Sequence, residues 1–179
     1  MKKDNLKSLR LFMSIILLSP LNISAQNYKI YDGALTEGYD IGVNTSDEQT
    51  TWITDEDTQI KMEYPSNQSW ETVFITWGTP VPPGNRPFQN FSGYIALSVD
   101  MKGANGGETV QIGIKDNNDP DNGSETKISV QLTSNWETYE FPLSRFETAD
   151  LSHLYVVTEF VFSGRNSKTV YFRNVVFSN

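Results

Sequence analysis

Four tryptophans are the side chains of this sequence best suited to hold a ligand by a flat face. They are Trp52, Trp70, Trp77 and Trp136. Indole rings stack on the C–H surfaces of pyranose rings, and a few polar groups beside such an apolar wall orient the ligand. Trp52 and Trp70 lie beside predicted turns, where exposure is easiest, whereas Trp77 shares a strand face with apolar residues and suits the core equally well. We predict a scaffold role for Trp136.

Polar side chains that could accompany these rings occur at a loop and at a strand end. Asn85 and Arg86 lie in the proline-rich loop (residues 78–89), which holds four of the eight prolines. Such a segment cannot form a helix or a central strand, and we predict that it is a binding-site or edge-covering loop. Lys115 and Asp116 end a predicted strand. We predict that all four contact the ligand.

The last two predicted strands add a pair of opposite charges. Because successive side chains of a strand point to opposite faces, Glu159 and Arg173 are predicted to point away from the core. A predicted hairpin at residues 164–167 makes the two residues cross-strand neighbours. A planar guanidinium beside a carboxylate is a surface suited to sugar hydroxyls. We therefore predict that Glu159 and Arg173 form the floor of a groove, with Lys115 beside them.

The sequence offers little material for covalent or metal-dependent catalysis, since it holds one histidine and no cysteine. These counts argue against cysteine nucleophiles and multi-histidine metal centres. A Ser-His-Asp triad would depend on His153, for which a solvent-facing turn residue is the favoured interpretation. A glycosidase needs only two carboxylates about 5–10 Å apart, so the many acidic residues leave hydrolysis open.

Residues 1–25 have the pattern of a secretory signal peptide. Four basic residues within the first ten positions precede an apolar run at 11–18, and Ala25 offers a small residue for cleavage. The alternative, an uncleaved membrane anchor, is disfavoured because the run is about 8 residues long and a span needs roughly 20. We predict cleavage after Ala25, a secreted or periplasmic protein of bacterial origin, and one domain over residues 26–179.

The chain is acidic, with 14 Lys and Arg against 22 Asp and Glu and a net charge of −8. Loss of the signal peptide would remove four of the basic residues and one acidic residue, which makes the remainder more negative still. Such a surface repels phosphate backbones, so nucleic acid is not an expected partner. A secreted domain without disulfides must depend on its core, and on a cation if it binds one.

The elements that must position these side chains are short strands. In residues 108–146, apolar and polar residues alternate in successive strands, which cannot bury an apolar face alone, so a second sheet must cover them. Over the whole chain, about nine or ten strands between turn signals indicate an all-β, antiparallel two-sheet sandwich. Residues 33–51 lack this alternation and are predicted as a long surface loop. Seven residues are predicted to be buried between the sheets: Val110, Ile112, Ile114, Ile128, Val130, Phe160 and Phe172.

An acidic segment (residues 116–125) invites a calcium-loop interpretation. The twelve-residue loop of helix-loop-helix calcium proteins needs Gly at its sixth position and Glu at its twelfth. Counted from Asn117, these positions hold Asn122 and Ile128. The pattern fails, and we favour a solvated turn rich in Asx residues.

Four stretches of the sequence resemble one family of modules. They are residues 30–34, 92–103, 136–146 and 170–177. In that order they resemble the strands of carbohydrate-binding modules with a galactose-binding-like jelly-roll fold. The resemblance covers most of residues 26–179 and describes scaffold more than site. It implies a jelly-roll sandwich with a polysaccharide ligand.

The resemblance also implies a metal. Modules of this family often hold a structural calcium between their first and last strands. Asp32 and Asn174 occupy roughly those places here, with Asn174 where the family usually has a carboxylate. We therefore expect structural Ca²⁺ at Asp32 and Asn174, with no part in ligand binding.

These features favour a secreted, non-catalytic module that binds a β-glucan or a related plant or algal glycan by aromatic stacking and polar groove residues. Two alternatives stay open: a small jelly-roll glycoside hydrolase or polysaccharide lyase, and a protein-binding assembly or adhesion domain. Such modules normally accompany a catalytic domain. A catalytic or surface partner protein is therefore also expected, and a transmembrane segment is not.

Overall fold

A computed structural model of the chain describes residues 27–45 and 52–179. The predicted signal peptide and its cleavage site at Ala25 lie outside these residues and stay predictions. The described part contains eleven strands and two short 3-10 helices, at Leu143–Arg145 and Leu151–His153. Within it, none of the helical segments has the length and apolar character needed to cross a bilayer. The fold is all-β, as the sequence predicted.

Six strands form one antiparallel sheet: β1 (Tyr28–Tyr31), β3 (Trp52–Asp55), β4 (Ile60–Tyr64), β6 (Ala96–Gly103), β9 (Glu137–Pro142) and β11 (Lys168–Ser178). The strand order is β3-β4-β11-β6-β9, and β1 also pairs with β11. The first half of β11 pairs with β4 and its second half with β1. Asn174 lies between these halves, at a bulge, with a φ of 51°. This sheet forms one layer of a sandwich.

Five strands form the second antiparallel sheet: β2 (Tyr39–Thr45), β5 (Trp70–Trp77), β7 (Thr109–Asp116), β8 (Lys127–Gln131) and β10 (Leu154–Ser163). Their order is β2-β5-β10-β7-β8. β10 is therefore the central strand, paired with β5 on one side and with β7 on the other. Residues of β10 that point away from the core lie in the middle of this sheet's outward face.

Apolar side chains from both sheets fill the space between them. Phe160 of β10 stacks on Phe172 of β11, with ring centroids 4.5 Å apart and an interplanar angle of 17°. Each large apolar side chain buried in this way stabilises the fold by about 1.5–3 kcal/mol. Six of the seven predicted core residues are buried. The seventh, Val130, is only half-buried, because β8 is an edge strand of its sheet.

The prediction of one long loop at residues 33–51 is wrong, since β2 occupies much of that segment. Tyr39, Ile41 and Val43 alternate along β2 and pack against the core. The residues that alternate with them along the strand are Asp40, Gly42 and Asn44, which are poor strand formers and obscured the alternation. Residues 46–51 lie outside the described part of the chain.

The connection from β10 to β11 crosses between the sheets and does not close a hairpin. β10 belongs to the five-stranded sheet and β11 to the six-stranded sheet. Glu159 and Arg173 therefore point away from the core on opposite sides of the sandwich, and the prediction that they are neighbours is wrong. Arg173 instead faces Asp100 on β6, with its Nε 3.4 Å from the carboxylate. A short turn can join stacked sheets as readily as paired strands, so alternation alone did not identify the partner.

Candidate functional site

A groove crosses the outward face of the five-stranded sheet. Its wider part has a volume of about 410 Å³, and a narrower continuation has a volume of about 250 Å³. The two parts share Asn44, Thr72, Lys115, Asp121 and Glu159. These residues come from β2, β5, β7, the acidic segment and β10. The groove therefore lies over the middle of the sheet.

Aromatic side chains line both parts of the groove. Trp70, the first residue of β5, is 39% exposed and lines the wider part. Phe74 lies on the same face of β5, because strand residues two or four apart share a face, and it lines the narrower part with Tyr155. Each part thus offers an apolar wall beside a polar floor.

Lys115 is the centre of a charge cluster on the groove floor. Its Nζ lies 4.0, 3.7, 3.2 and 3.6 Å from carboxylate oxygens of Asp119, Asp121, Glu125 and Glu159, respectively. The side chain of Lys115 is 11% exposed, and those of Glu125 and Glu159 are 4% and 2% exposed. Charges that are nearly closed to water interact more strongly than charges on an open surface. The cluster is therefore a major electrostatic feature of the groove.

The two buried glutamates of this cluster have pKa values shifted in opposite directions. Burial raises the pKa of Glu159 to about 7; the negative charge of the neighbouring Glu125 adds to the rise, and the charge of Lys115 opposes it. Burial acts on Glu125 as well, but hydrogen bonds from Lys127 and from a backbone N–H, with the nearby positive charges, lower its pKa to about 2. Burial alone would lower the pKa of Lys115, yet the surrounding carboxylates raise it overall. At pH 7, Lys115 and Glu125 are charged and Glu159 is close to half-protonated.

Arg86 joins the proline-rich loop to the acidic segment beside the groove. It is buried, and its guanidinium pairs with the Asp121 carboxylate and donates to the backbone oxygen of Asp119 at 2.9 Å. Within its own loop it donates to the backbone oxygen of Val81 at 3.2 Å. The guanidinium carbon also lies 4.9 Å from the ring centre of Tyr155. Arg86 therefore holds two groove walls together while it lines the narrower part.

The groove brings together four of the nine predicted ligand residues: Trp70, Arg86, Lys115 and Glu159. Trp77 instead packs against the core, with its ring 5.1 Å from that of Tyr39. This position follows from the strand face that Trp77 shares with buried residues.

Three other predicted ligand residues lie elsewhere. Asp116 accepts hydrogen bonds from the backbone N–H groups of Asn118 and Asp150, at 2.8 and 3.0 Å, and so fixes loop geometry. Asn85 is exposed in the proline-rich loop. Trp52 begins β3 in the six-stranded sheet, and its side chain lies outside the described part of the structure.

Arg173, the ninth predicted ligand residue, lies on the opposite side of the sandwich. Its guanidinium carbon is 4.3 Å from the ring centre of Trp136, and the ammonium of Lys102 is 5.0 Å from the same ring. Trp136 is half-buried beneath these cations. The scaffold role of Trp136 stays a prediction, and the cluster places Arg173 away from the groove.

His153 meets both a hydroxyl and a carboxylate, but not in the arrangement of a triad. Ser152 Oγ is 2.7 Å and Asp150 Oδ2 is 3.0 Å from the same ring nitrogen, Nδ1. A catalytic triad uses one ring nitrogen for the serine and the other for the carboxylate. The side chain is 42% exposed, and its ring packs 4.4 Å from that of Phe88. The geometry is that of a turn histidine.

The residues predicted to bind calcium do not by themselves fit a calcium site. The Asp32 carboxylate pairs with Lys29, and the Asn174 side chain donates to Asp100 at 2.7 Å. Calcium takes six to eight oxygen ligands, and residues 27–45 and 52–179 contain no group of three or more His, Cys, Asp or Glu placed to hold a metal. Calcium stays a prediction, and melting temperatures measured with and without a chelator check it.

Several groove residues were missed by the sequence analysis. Thr72 and Phe74 share the outward face of β5 with Trp70, and Gln111 shares that of β7 with Lys115, so strand alternation could have identified them. The remaining ones lie on β2, β8, β10, the proline-rich loop and the acidic segment, and they include Asn44, Tyr155 and Glu125. Nothing in the local pattern indicates that the acidic segment folds back over the sheet.

Comparisons with solved structures give relatives of the same architecture at low sequence identity. A mutant family 29 carbohydrate-binding module complexed with mannohexaose has a TM-score of 0.59 and 14% identity, over 87% of this chain and 93% of that one. Another mutant family 29 module, complexed with cellulohexaose, has a TM-score of 0.57 and 15% identity, over 88% and 93%. The family 11 module from Clostridium thermocellum, in complex with a β-1,3-1,4-mixed-linked tetrasaccharide, has a TM-score of 0.58 and 17% identity, over 84% and 94%. At this identity the likeness concerns the fold.

The family itself is identified by sequence. A search of curated proteins gave no match. A family model described as carbohydrate binding domain 30 matches residues 27–179. That range includes both sheets and all the groove residues named above. The resemblance to carbohydrate-binding modules is confirmed, and the chain belongs to the carbohydrate binding domain 30 family.

Proposed function

We propose that this carbohydrate-binding module binds a β-glucan or a related plant or algal polysaccharide in the groove of the five-stranded sheet, without cleaving it. The observation that carries the proposal is the exposed ring of Trp70 beside a buried polar floor. Trp70 supplies a face for a pyranose ring, and Lys115 and Glu159 supply polar contacts for hydroxyls. This combination of an apolar wall and a few placed polar groups is the general chemistry of small-molecule sites.

Unpartnered polar atoms on the groove floor support this assignment. Thr72 Oγ1 and Glu159 Oε1 are buried without a hydrogen-bond partner, and both residues line both parts of the groove. Buried polar groups are nearly always satisfied, so a small opening of the floor would let Thr72 Oγ1 meet a ligand hydroxyl or a water. Single contacts of this kind are weak, and we expect dissociation constants between micromolar and millimolar.

The ligands of the structural relatives guide the choice of glycans to test. Mannohexaose, cellulohexaose and a β-1,3-1,4-mixed-linked tetrasaccharide occur in those complexes. All three are oligosaccharides. We propose that this groove takes a chain of the same chemical class.

Replacement of Trp70 by Ala is the direct test. We expect its dissociation constant for the best of these three glycans to rise about tenfold or more, because a tryptophan anchor is typically worth about 2 kcal/mol. Trp136→Ala is the matched control, since Trp136 lies on the opposite side of the sandwich, and its affinity should stay within about twofold. Calorimetric titration measures both, and melting temperatures check folding. Loss of binding in Trp136→Ala with retention in Trp70→Ala would place the ligand on the wrong sheet for this proposal.

A small glycoside hydrolase is the second candidate, favoured by the opposite pKa shifts of Glu125 and Glu159 in one groove. Retaining hydrolases pair a protonated acid with an ionised carboxylate. Lys115 contacts both carboxyl groups, which argues for a structural role instead. A reducing-sugar release assay on the same glycans, with Glu159→Gln as the inactivated control, separates the two candidates.

The setting in which the module works also belongs to this proposal. We propose export by the signal peptide to the periplasm or the cell exterior, with Gln26 as the first mature residue. Sequencing the N-terminus of the exported protein tests it. We also propose a catalytic or surface partner protein, because modules of this kind normally accompany one.

A further inference from the structure

Two carboxylate oxygens on the groove floor lack a donor. Glu125 Oε2 and Glu159 Oε1 are both buried without a hydrogen-bond partner. The other oxygen of each group contacts the same ammonium, because Glu125 Oε1 and Glu159 Oε2 lie 3.2 and 3.6 Å from Lys115 Nζ. A buried acceptor that lacks a donor loses the free energy of its hydrogen bond to water. One additional hydrogen between the two carboxyl groups would satisfy both.

The backbone of β7 makes room for this arrangement. Gly113 lies opposite Glu159 on the paired strand. A Cβ at Gly113 would lie 2.4 Å from Glu159 Oε1 and 3.0 Å from its Cγ. The missing side chain therefore leaves room for the Glu159 carboxyl group over β7, within reach of Lys115.

We propose that Glu125 and Glu159 share one proton at the groove floor, and that loss of this proton weakens glycan binding as the pH rises above neutral. The proposal rests on the proposed function, since it assigns a regulation to the same groove. The contact of both carboxyl groups with Lys115 and their two donor-less oxygens carry the proposal, and the opposite shifts of their pKa values agree with it. Glu159 is the protonated member, because Glu125 is held ionised by Lys127.

With that proton in place, the charges around Glu159 balance. Positive groups come from β7, β8 and the proline-rich loop, and negative groups come from the acidic segment; β5 contributes Thr72 and Phe74. Three cations then face three anions, and ionisation of Glu159 adds a fourth anion. The cations are Lys115, Lys127 and Arg86, and the anions are Asp119, Asp121 and Glu125.

The excess negative charge acts on the groove in two ways. It repels Glu125, which is part of the acidic segment that forms one wall. It also requires water at the floor, because Lys115 is already shared with three other carboxylates and a buried charge without sufficient partners is poorly solvated by protein. A glycan must then displace this water, and it contacts the acidic segment in a shifted position. The form that binds well is therefore the protonated one, and the apparent affinity falls with its population.

The shared proton can be tested without any ligand. The pKa of Glu159 is raised from an ordinary value of 4.5 to about 7, so folding takes up a proton. The resulting stabilisation is complete below about pH 4.5 and is lost as the pH rises through about 7. We expect the melting temperature of the wild type to fall from pH 5 to pH 8 by more than that of Glu159→Gln, whose amide can donate to Glu125 at every pH. Glu140→Gln, an exposed change on the six-stranded sheet, should behave as the wild type.

The second measurement is binding of the β-1,3-1,4-mixed-linked tetrasaccharide, cellulohexaose and mannohexaose at pH 6 and pH 8. If only the protonated form binds, the dissociation constant rises about tenfold over this interval. In Glu159→Gln the ratio of the two constants should approach one, and in Glu140→Gln it should stay near the wild-type value. A wild-type ratio near one, or a ratio that persists in Glu159→Gln, overturns the proposal.

The two measurements also separate this proposal from the proposed function. If the melting curves behave as expected and none of the three glycans binds at either pH, the shared proton is supported, while the glycan function and its regulation are both overturned. If the glycans bind and the melting curves of the wild type and Glu159→Gln change in parallel with pH, the shared proton is overturned and the proposed function stands.

Discussion

Replacement of Lys115 by Met is expected to destabilise the protein by about 3–5 kcal/mol at pH 7, the cost typical of removing one partner from a buried ion pair. Lys115 lies within 4.0 Å of four carboxylates, and two of these belong to nearly unexposed side chains. Met has a similar length and apolar character to the lysine stem, so packing changes little. The loss comes from the carboxylates of Asp119, Asp121 and Glu125, which lose a shared cation, whereas Glu159 becomes protonated. Urea unfolding measures it.

The stability lost in Lys115→Met should be smaller at low pH. Without the ammonium the pKa values of both glutamates rise in the folded state, so the variant takes up protons on folding and gains stability as the pH falls. We therefore expect a smaller difference from the wild type at pH 4.5 than at pH 7. Lys102→Met is the matched control, because Lys102 lies over aromatic rings on the opposite sheet, and such a contact is worth about 1 kcal/mol. Equal losses in the two variants at pH 7 would contradict the importance of the Lys115 cluster.

Strand alternation predicted the fold because burial between two sheets leaves a period of two in the sequence. Val110, Ile112 and Ile114 follow it, and all three are buried. The same alternation gives the direction of Glu159 correctly as away from the core. Alternation describes one strand at a time, however, and it does not tell which strand lies beside it.

The groove could not be predicted without knowing which strands are neighbours. Glu125 and Glu159 are far apart in the sequence, and they meet only because β7 pairs with β10 and the acidic segment returns across the sheet. Local composition indicates a solvated turn for that segment. Residues 120–124 are exposed, and Asp119 and Asn122 accept hydrogen bonds from backbone N–H groups as in such a turn. Asp121 also pairs with Lys115 and Arg86, contacts that depend on tertiary structure. Arg173 shows the same gap from the other side. Its guanidinium suits sugar hydroxyls, but its strand, β11, lies in the six-stranded sheet, away from the groove.

Replacement of Phe160 by Ala should cost about 3–5 kcal/mol, the range typical of a fully buried phenylalanine. Its ring is unexposed and stacks on Phe172 across the two sheets. The cavity would open at the centre of β10, where neighbouring strands limit collapse. Phe88→Ala is the control, because Phe88 is 46% exposed and its ring contacts that of His153. Phe88→Ala should lower the free energy of unfolding by less than about 1 kcal/mol. Urea unfolding of both variants measures the difference between them.

The same variant tests whether the two faces of β10 act independently. Phe160 faces the core, and its chain neighbour Glu159 faces the groove, so a change at Phe160 alters stability without removing a ligand contact. We expect Phe160→Ala to bind the glycan within about threefold of the wild type at a temperature where both are folded. The Trp70→Ala variant should show the reverse, with weak binding and a melting temperature close to that of the wild type. A Phe160→Ala protein that is fully folded but has lost binding would mean that the packing between the sheets sets the position of the groove floor.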